Sequence, residues 1–118
     1  MSLFDDLKAL GVDIDEGVGR LGGNAALYEK LLGSFKKTID THYVGLDFDM
    51  DDYAAATDNA HAIKGTAGNL SITPIYKSYT DIVDLFRAGQ PEQAKAELEK
   101  ILPIQDEIIE CITKHMNA

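Results

Sequence analysis

A chain of 118 residues, 45% hydrophobic and 26% charged, is long enough for one domain, residues 1–118, built around a single sizeable core. Its formal net charge of −9 leaves no basic face to release counterions, which excludes general nucleic-acid binding. No apolar run approaches the ~18 residues of a membrane span, the acidic start Met1-Ser2-Leu3-Phe4-Asp5-Asp6 is unlike a signal peptide, and a lone cysteine, Cys111, excludes an internal disulfide and fits a reducing, cytoplasmic setting.

In chain order, Ser2 is placed to cap a short first helix, with Leu3, Leu7 and Leu10 on one side and Gly11 ending it. Val12 to Gly23 reads as a glycine-rich connection with a helical turn around Asp15 to Leu21. Asn24 caps the next helix, predicted to run to about Tyr43 on the stripe Leu27, Leu31, Phe35 and Ile39. A turn over Gly45 to Asp49 leads to a third long pattern, Asp51 to Leu70. Pro74 suits the first turn of a following helix that carries Ile75, Tyr79, Ile82 and Phe86 and stops at Gly89. The last helix opens at Gln90-Pro91-Glu92 and carries Ala94, Leu98, Ile101, Gln105, Ile108 and Ile112, with Pro103 expected to kink it. No stretch alternates long enough to be a strand. The expectation is an all-α fold: an antiparallel up-down four-helix bundle with a short additional N-terminal helix covering one end.

The third long pattern carries the chemistry. Its apolar stripe is Tyr53, Ala56, Ala60, Ile63, Ala67 and Leu70, at the three-and-four spacing of a buried helix face. At about 100° per residue, His61 points roughly 135° away from that stripe's centre, among Thr57, Lys64, Gly65 and Gly68. Each glycine inside a helix costs about 1 kcal/mol relative to alanine, so two of them beside a histidine suggest that something approaches the backbone closely. An imidazole, with an ordinary pKa of about 6.5, is largely a neutral nucleophile near pH 7. A bare patch and a nearby ammonium suit transfer of a phosphoryl group to it, the lysine offsetting the charge of the phosphoryl oxygens.

The run His61, Lys64, Gly65, followed by Thr66-Ala67-Gly68-Asn69-Leu70, resembles the signature of the histidine phosphotransfer (HPt) domain. The stretch from Val12 through Leu21-Gly22-Gly23-Asn24 to Phe35 looks like the usual beginning of such domains, most similar to those at the C-terminal end of hybrid sensor kinases. Two departures stand out: Ile82-Val83 replaces a frequent Leu-Glu pair, and Ser71 stands where glycine is common. The resemblance implies that His61 accepts a phosphoryl group from a receiver-domain aspartate and passes it to another receiver, with Lys64 compensating charge. It implies a docking face that includes Gly65, Gly68, Thr57 and Tyr76. It also implies no kinase activity, no cofactor and no metal of the domain's own, and a cytoplasmic place, alone or within a membrane-anchored sensor kinase that this domain does not itself tie to the bilayer. The alternatives are a docking module that binds a receiver or kinase without transfer and, more distantly, a metal-binding bundle.

Other motifs have plainer readings. Gly17-Val18-Gly19-Arg20-Leu21-Gly22 has the spacing of a dinucleotide-binding turn but lacks the alternating strands and helices, and reads as a loop. Asp47-Phe48-Asp49-Met50-Asp51 begins like a calcium loop but has Asp52 where glycine is needed, and reads as acids capping a helix. His42, His61 and His115 fall on three different predicted helices, and no metal-ligand pairing is expected of them. His42 and His115 read as surface or helix-end residues, Cys111 as a small half-buried hydrophobe, and Tyr43, Tyr76 and Tyr79 chiefly as packing.

Overall fold

The computed structural model describes residues 2–116. Every regular element among them is a helix: α1 (Leu3–Ala9), α2 (Ile14–Gly19), α3 (Ala25–Thr41), α4 (Ala54–Asn69), α5 (Thr73–Arg87) and α6 (Pro91–Met116). The first three begin at side chains that accept a hydrogen bond from an otherwise orphaned amide. Ser2 Oγ accepts from Asp5 N at 3.1 Å, Asp13 Oδ1 from Glu16 N at 3.1 Å, and Asn24 Oδ1 from Leu27 N at 3.0 Å. Gly11 closes α1 and Gly89 closes α5, both at positive φ, which glycine adopts without a Cβ penalty.

The helices pack in a closed order. α4 lies most extensively on α5, α5 on α6, and α3 touches both α4 and α6; α1 rests on α6 and α2 bridges α1 and α3. The core between them is aliphatic with a few aromatic rings, including Leu32, Phe35, Ile63, Ile75, Ile82 and Leu98. Ala60 and Ala67 are fully buried, so α4 presents small residues where it meets its neighbours. Two buried tyrosines carry their hydroxyls to partners: Tyr28 donates to the Leu70 carbonyl at 2.6 Å, and Tyr79 donates to Gln105 Oε1. α6 remains helical through Pro103; at 26 residues it is about 39 Å long, close to the 43 Å long axis of the molecule.

Two helix ends differ from the sequence expectation. α3 stops at Thr41, before Tyr43, and α4 begins at Ala54 rather than Asp51. At the start of α4 the cause is local competition for backbone amides. Asp49 Oδ1 accepts from Asp51 N at 2.8 Å and from Asp52 N at 3.3 Å, closing a turn of its own. Tyr53 then stacks on Phe86, ring centroids 5.3 Å apart, and serves as the α4 N-cap position without a side-chain cap bond. The acids therefore close a loop and do not cap α4. The glycine-rich segment is also not simply a loop, because Gly17 and Gly19 belong to α2. A Cβ at Gly17 would fall 2.4 Å from the Tyr28 ring and 2.8 Å from the Leu70 carbonyl, so close packing explains that glycine without a nucleotide.

Candidate functional site

α4 buries Ala60, Ile63 and Ala67 and turns His61 out to solvent. Helical geometry places Lys64 and Gly65 one turn further along the same face. Of the three histidines, His42 is held at Nδ1 by Asn59 Oδ1 at 3.0 Å and His115 at Nε2 by Asp6 Oδ2 at 2.9 Å. Among the described residues no hydrogen bond holds the His61 ring, and no carboxylate pairs with half-buried Lys64. Neither side chain is thus engaged by the fold.

The two glycines of this face have different physical reasons. A Cβ added to Gly65 meets nothing within 4 Å, so the fold itself has no use for a glycine there. At Gly68 the added atom would lie 2.8 Å from the Tyr76 ring. Gly68 therefore seats a side chain of α5, which corrects the expectation that it clears space for an outside partner. Tyr76 is still 41% exposed. It packs on the α4 backbone and presents the remainder of its ring beside the histidine face. Thr57 is less available than expected: it is half-buried, and its hydroxyl donates back to the Tyr53 carbonyl at 2.8 Å. Of the other tyrosines, Tyr79 is core and Tyr43 is exposed, so packing does not account for Tyr43.

An open groove of about 580 Å³ runs along this face, lined by Gly65, Gly68, Tyr76, Lys77, Glu16 and Arg20 among others. Arg20 and Lys77 bring cations that no periodicity argument placed here, since they come from α5 and from the end of α2. Glu16 fixes Arg20: its carboxylate accepts from Arg20 Nη2 at 3.1 Å and from Ser71 Oγ at 2.7 Å. The Ser71 bond first, and Arg20 second, hold the Glu16 carboxyl below the usual range. Ser71 itself is buried with φ +55°, the left-handed conformation that explains why glycine suits this corner, and its carbonyl accepts from Asp13 N at 3.0 Å.

The arrangement combines an exposed imidazole, an unpaired ammonium one turn away, open space over Gly65, and two cations, Arg20 and Lys77, along a shallow groove. Such a set can accept a charged, tetrahedral oxyanion group on the imidazole and shield its oxygens. One cluster lies elsewhere. Cys111 and His115 stand four residues apart on α6, a pairing the sequence reading of the histidines passed over, and Asp6 of α1 completes the group. No protein-family model, curated protein or solved structure matches the chain.

Proposed function

We propose that the chain is a histidine phosphotransfer domain in which His61 carries phosphoryl groups between receiver-domain aspartates. In this reading α3, α4, α5 and α6 are the four members of an antiparallel up-down bundle, with α1 and α2 across one end. The supporting observation is His61 itself, exposed and unheld beside a glycine that internal packing does not require. A glycine kept in mid-helix at a cost of about 1 kcal/mol, with open space over it, is accounted for by a surface that comes down onto the helix from outside.

The step is an in-line displacement. The lone pair of neutral His61 Nε2, the nitrogen at the far end of the ring, attacks the phosphorus of the acyl phosphate. The bond from phosphorus to the aspartyl oxygen breaks and its electron pair leaves with the carboxylate. The proton on Nδ1 then passes to water, leaving a neutral phosphorylated ring. Lys64 offsets the charge on the phosphoryl oxygens. Return to a second receiver is the same step reversed, so no nucleotide or cofactor enters on this side. Receiver contact would span Gly65, Tyr76 and the Arg20 and Lys77 cations, a small area of the kind transient signalling contacts use.

The test is incubation with a receiver domain carrying a labelled phosphoryl group. Label should pass to this chain and be acid-labile and base-stable, as a phosphoramidate is. A His61→Gln variant that keeps its helicity and still takes up label refutes the assignment. Binding of the receiver by the unaltered chain with no label transfer would identify a docking module instead.

A further inference from the structure

At the far end of α6 from its Pro91 start, three side chains of different chemistry converge. The ligand atoms of Asp6, Cys111 and His115 all lie within 4.8 Å of one another, and His115 Nε2 stands 2.9 Å from Asp6 Oδ2. All three residues are half-buried. They line a hollow of about 310 Å³ whose other walls include Glu107 and Glu110. Glu107, Cys111 and His115 recur every four residues, so they follow one face of the helix. Lys114 also lines the hollow, against the three carboxylates of Asp6, Glu107 and Glu110. The local charge is therefore negative.

We propose that Asp6, Cys111 and His115 form a zinc site, with Glu107 or water as the fourth ligand. Thiolate, imidazole and carboxylate together are the donor set that zinc takes, whereas calcium and magnesium are bound by oxygens alone. With bonds of about 2.0–2.3 Å and tetrahedral angles, ligand atoms stand about 3.3–3.8 Å apart. To reach that arrangement the His115–Asp6 contact opens from 2.9 Å and the group, whose ligand atoms lie within 4.8 Å of one another, draws together around the ion. Binding replaces the thiol proton with the metal and releases it to solvent, so charge and atoms balance without a redox partner.

The consequence for the molecule is a clip. α1 has 7 residues, too few to be stable as a helix alone. Its contact with α6 would be strengthened by a bond between residues at opposite ends of the chain, where cross-links constrain the unfolded state most.

The experiment uses the full chain, freed of metal with a chelator and titrated with Co²⁺ and then Zn²⁺. One Co²⁺ per chain should give a sulfur-to-metal charge-transfer band, which Zn²⁺ abolishes, and Zn²⁺ should raise the melting temperature. Cys111→Ser should remove the band, and His115→Gln should weaken zinc binding at least as much as loss of a ligand's supporting partner does, about 10–100-fold; His42→Gln should change neither. Should Cys111→Ser not fold, His115→Gln decides alone. Absence of the band in the unaltered chain, or zinc affinity unchanged in the folded variants, overturns the proposal.

Discussion

His61 and His115 both sit on long helices, yet their surroundings are opposites. His115 is half-buried, hydrogen-bonded to Asp6 and close to a thiol. His61 is exposed, beside an unpaired lysine and a glycine with open space above it. The contrast teaches where to look for different kinds of chemistry. A histidine tied by a neighbour can orient, brace or ligate, because the fold already holds its ring in place. A histidine with both nitrogens unheld can be covalently modified by another protein without disturbing the domain that carries it.

Exchanging the two roles gives the sharpest experiment. His61→Gln should abolish phosphoryl uptake, while His115→Gln should leave it intact; equal losses would erase the distinction. Next comes Gly65→Leu. The open space at that position means the bundle should tolerate it, and helix propensity should raise stability by about 0.8 kcal/mol. Transfer from a phosphorylated receiver should nonetheless slow by roughly tenfold or more, since about 1.4 kcal/mol of lost docking is a factor of ten. Unchanged transfer kinetics with raised stability would mean that no partner approaches Gly65. Lys64→Ala should slow transfer by up to about tenfold at unchanged melting temperature, the expected loss of one partly solvated charge contact. Rates measured across ionic strength would identify the contribution as electrostatic.

The smallest effect concerns the underside of the same helix. Tyr28 ties α3 to the C-terminal end of α4 through the Leu70 carbonyl, and burial first, then Asp13, push its phenol up to about 12. A phenol whose pKa is raised by folding contributes stability that is fully present below about pH 10 and lost as pH rises through about 12. Tyr28→Phe should cost about 1 kcal/mol at neutral pH and should flatten part of the alkaline loss seen in denaturant titrations. Buried Tyr79, also shifted upward, retains its share. An alkaline profile unchanged by Tyr28→Phe would assign that sensitivity elsewhere.

Much of this was legible in the residues. Helix periodicity placed the long helices, with Asn24 marking the start of α3, and the stripe from Ala60 to Leu70 correctly turned His61 outward. The misses have two causes, a local side-chain turn that competes with the helix and contacts between different helices, neither of which helix periodicity records. Asp49 drew the start of α4 away from Asp51, and Tyr28 and Leu70 explain Gly17. Tyr76 explains Gly68, and nothing inside the chain explains Gly65. A glycine is a single letter whether it accommodates its own fold or a visitor, and only coordinates separate the two. The Cys111–His115 spacing was there to be read and was overlooked, whereas Asp6, 105 residues before Cys111, gives no sign in the sequence of the meeting.

The Ser71–Glu16–Arg20 series has one more implication. Exposed pairs such as Glu16 with Arg20 add little to folding. Yet Glu16 is itself anchored to the α4–α5 corner, and the Ser71 bond and Arg20 hold its carboxyl below the usual range, on the side that keeps the anchor ionised. The guanidinium is therefore steadied in advance, and under the proposed receiver docking less freedom would be lost on contact with an anionic surface. A bond of small thermodynamic weight can thus act chiefly on how quickly and in what orientation two molecules meet.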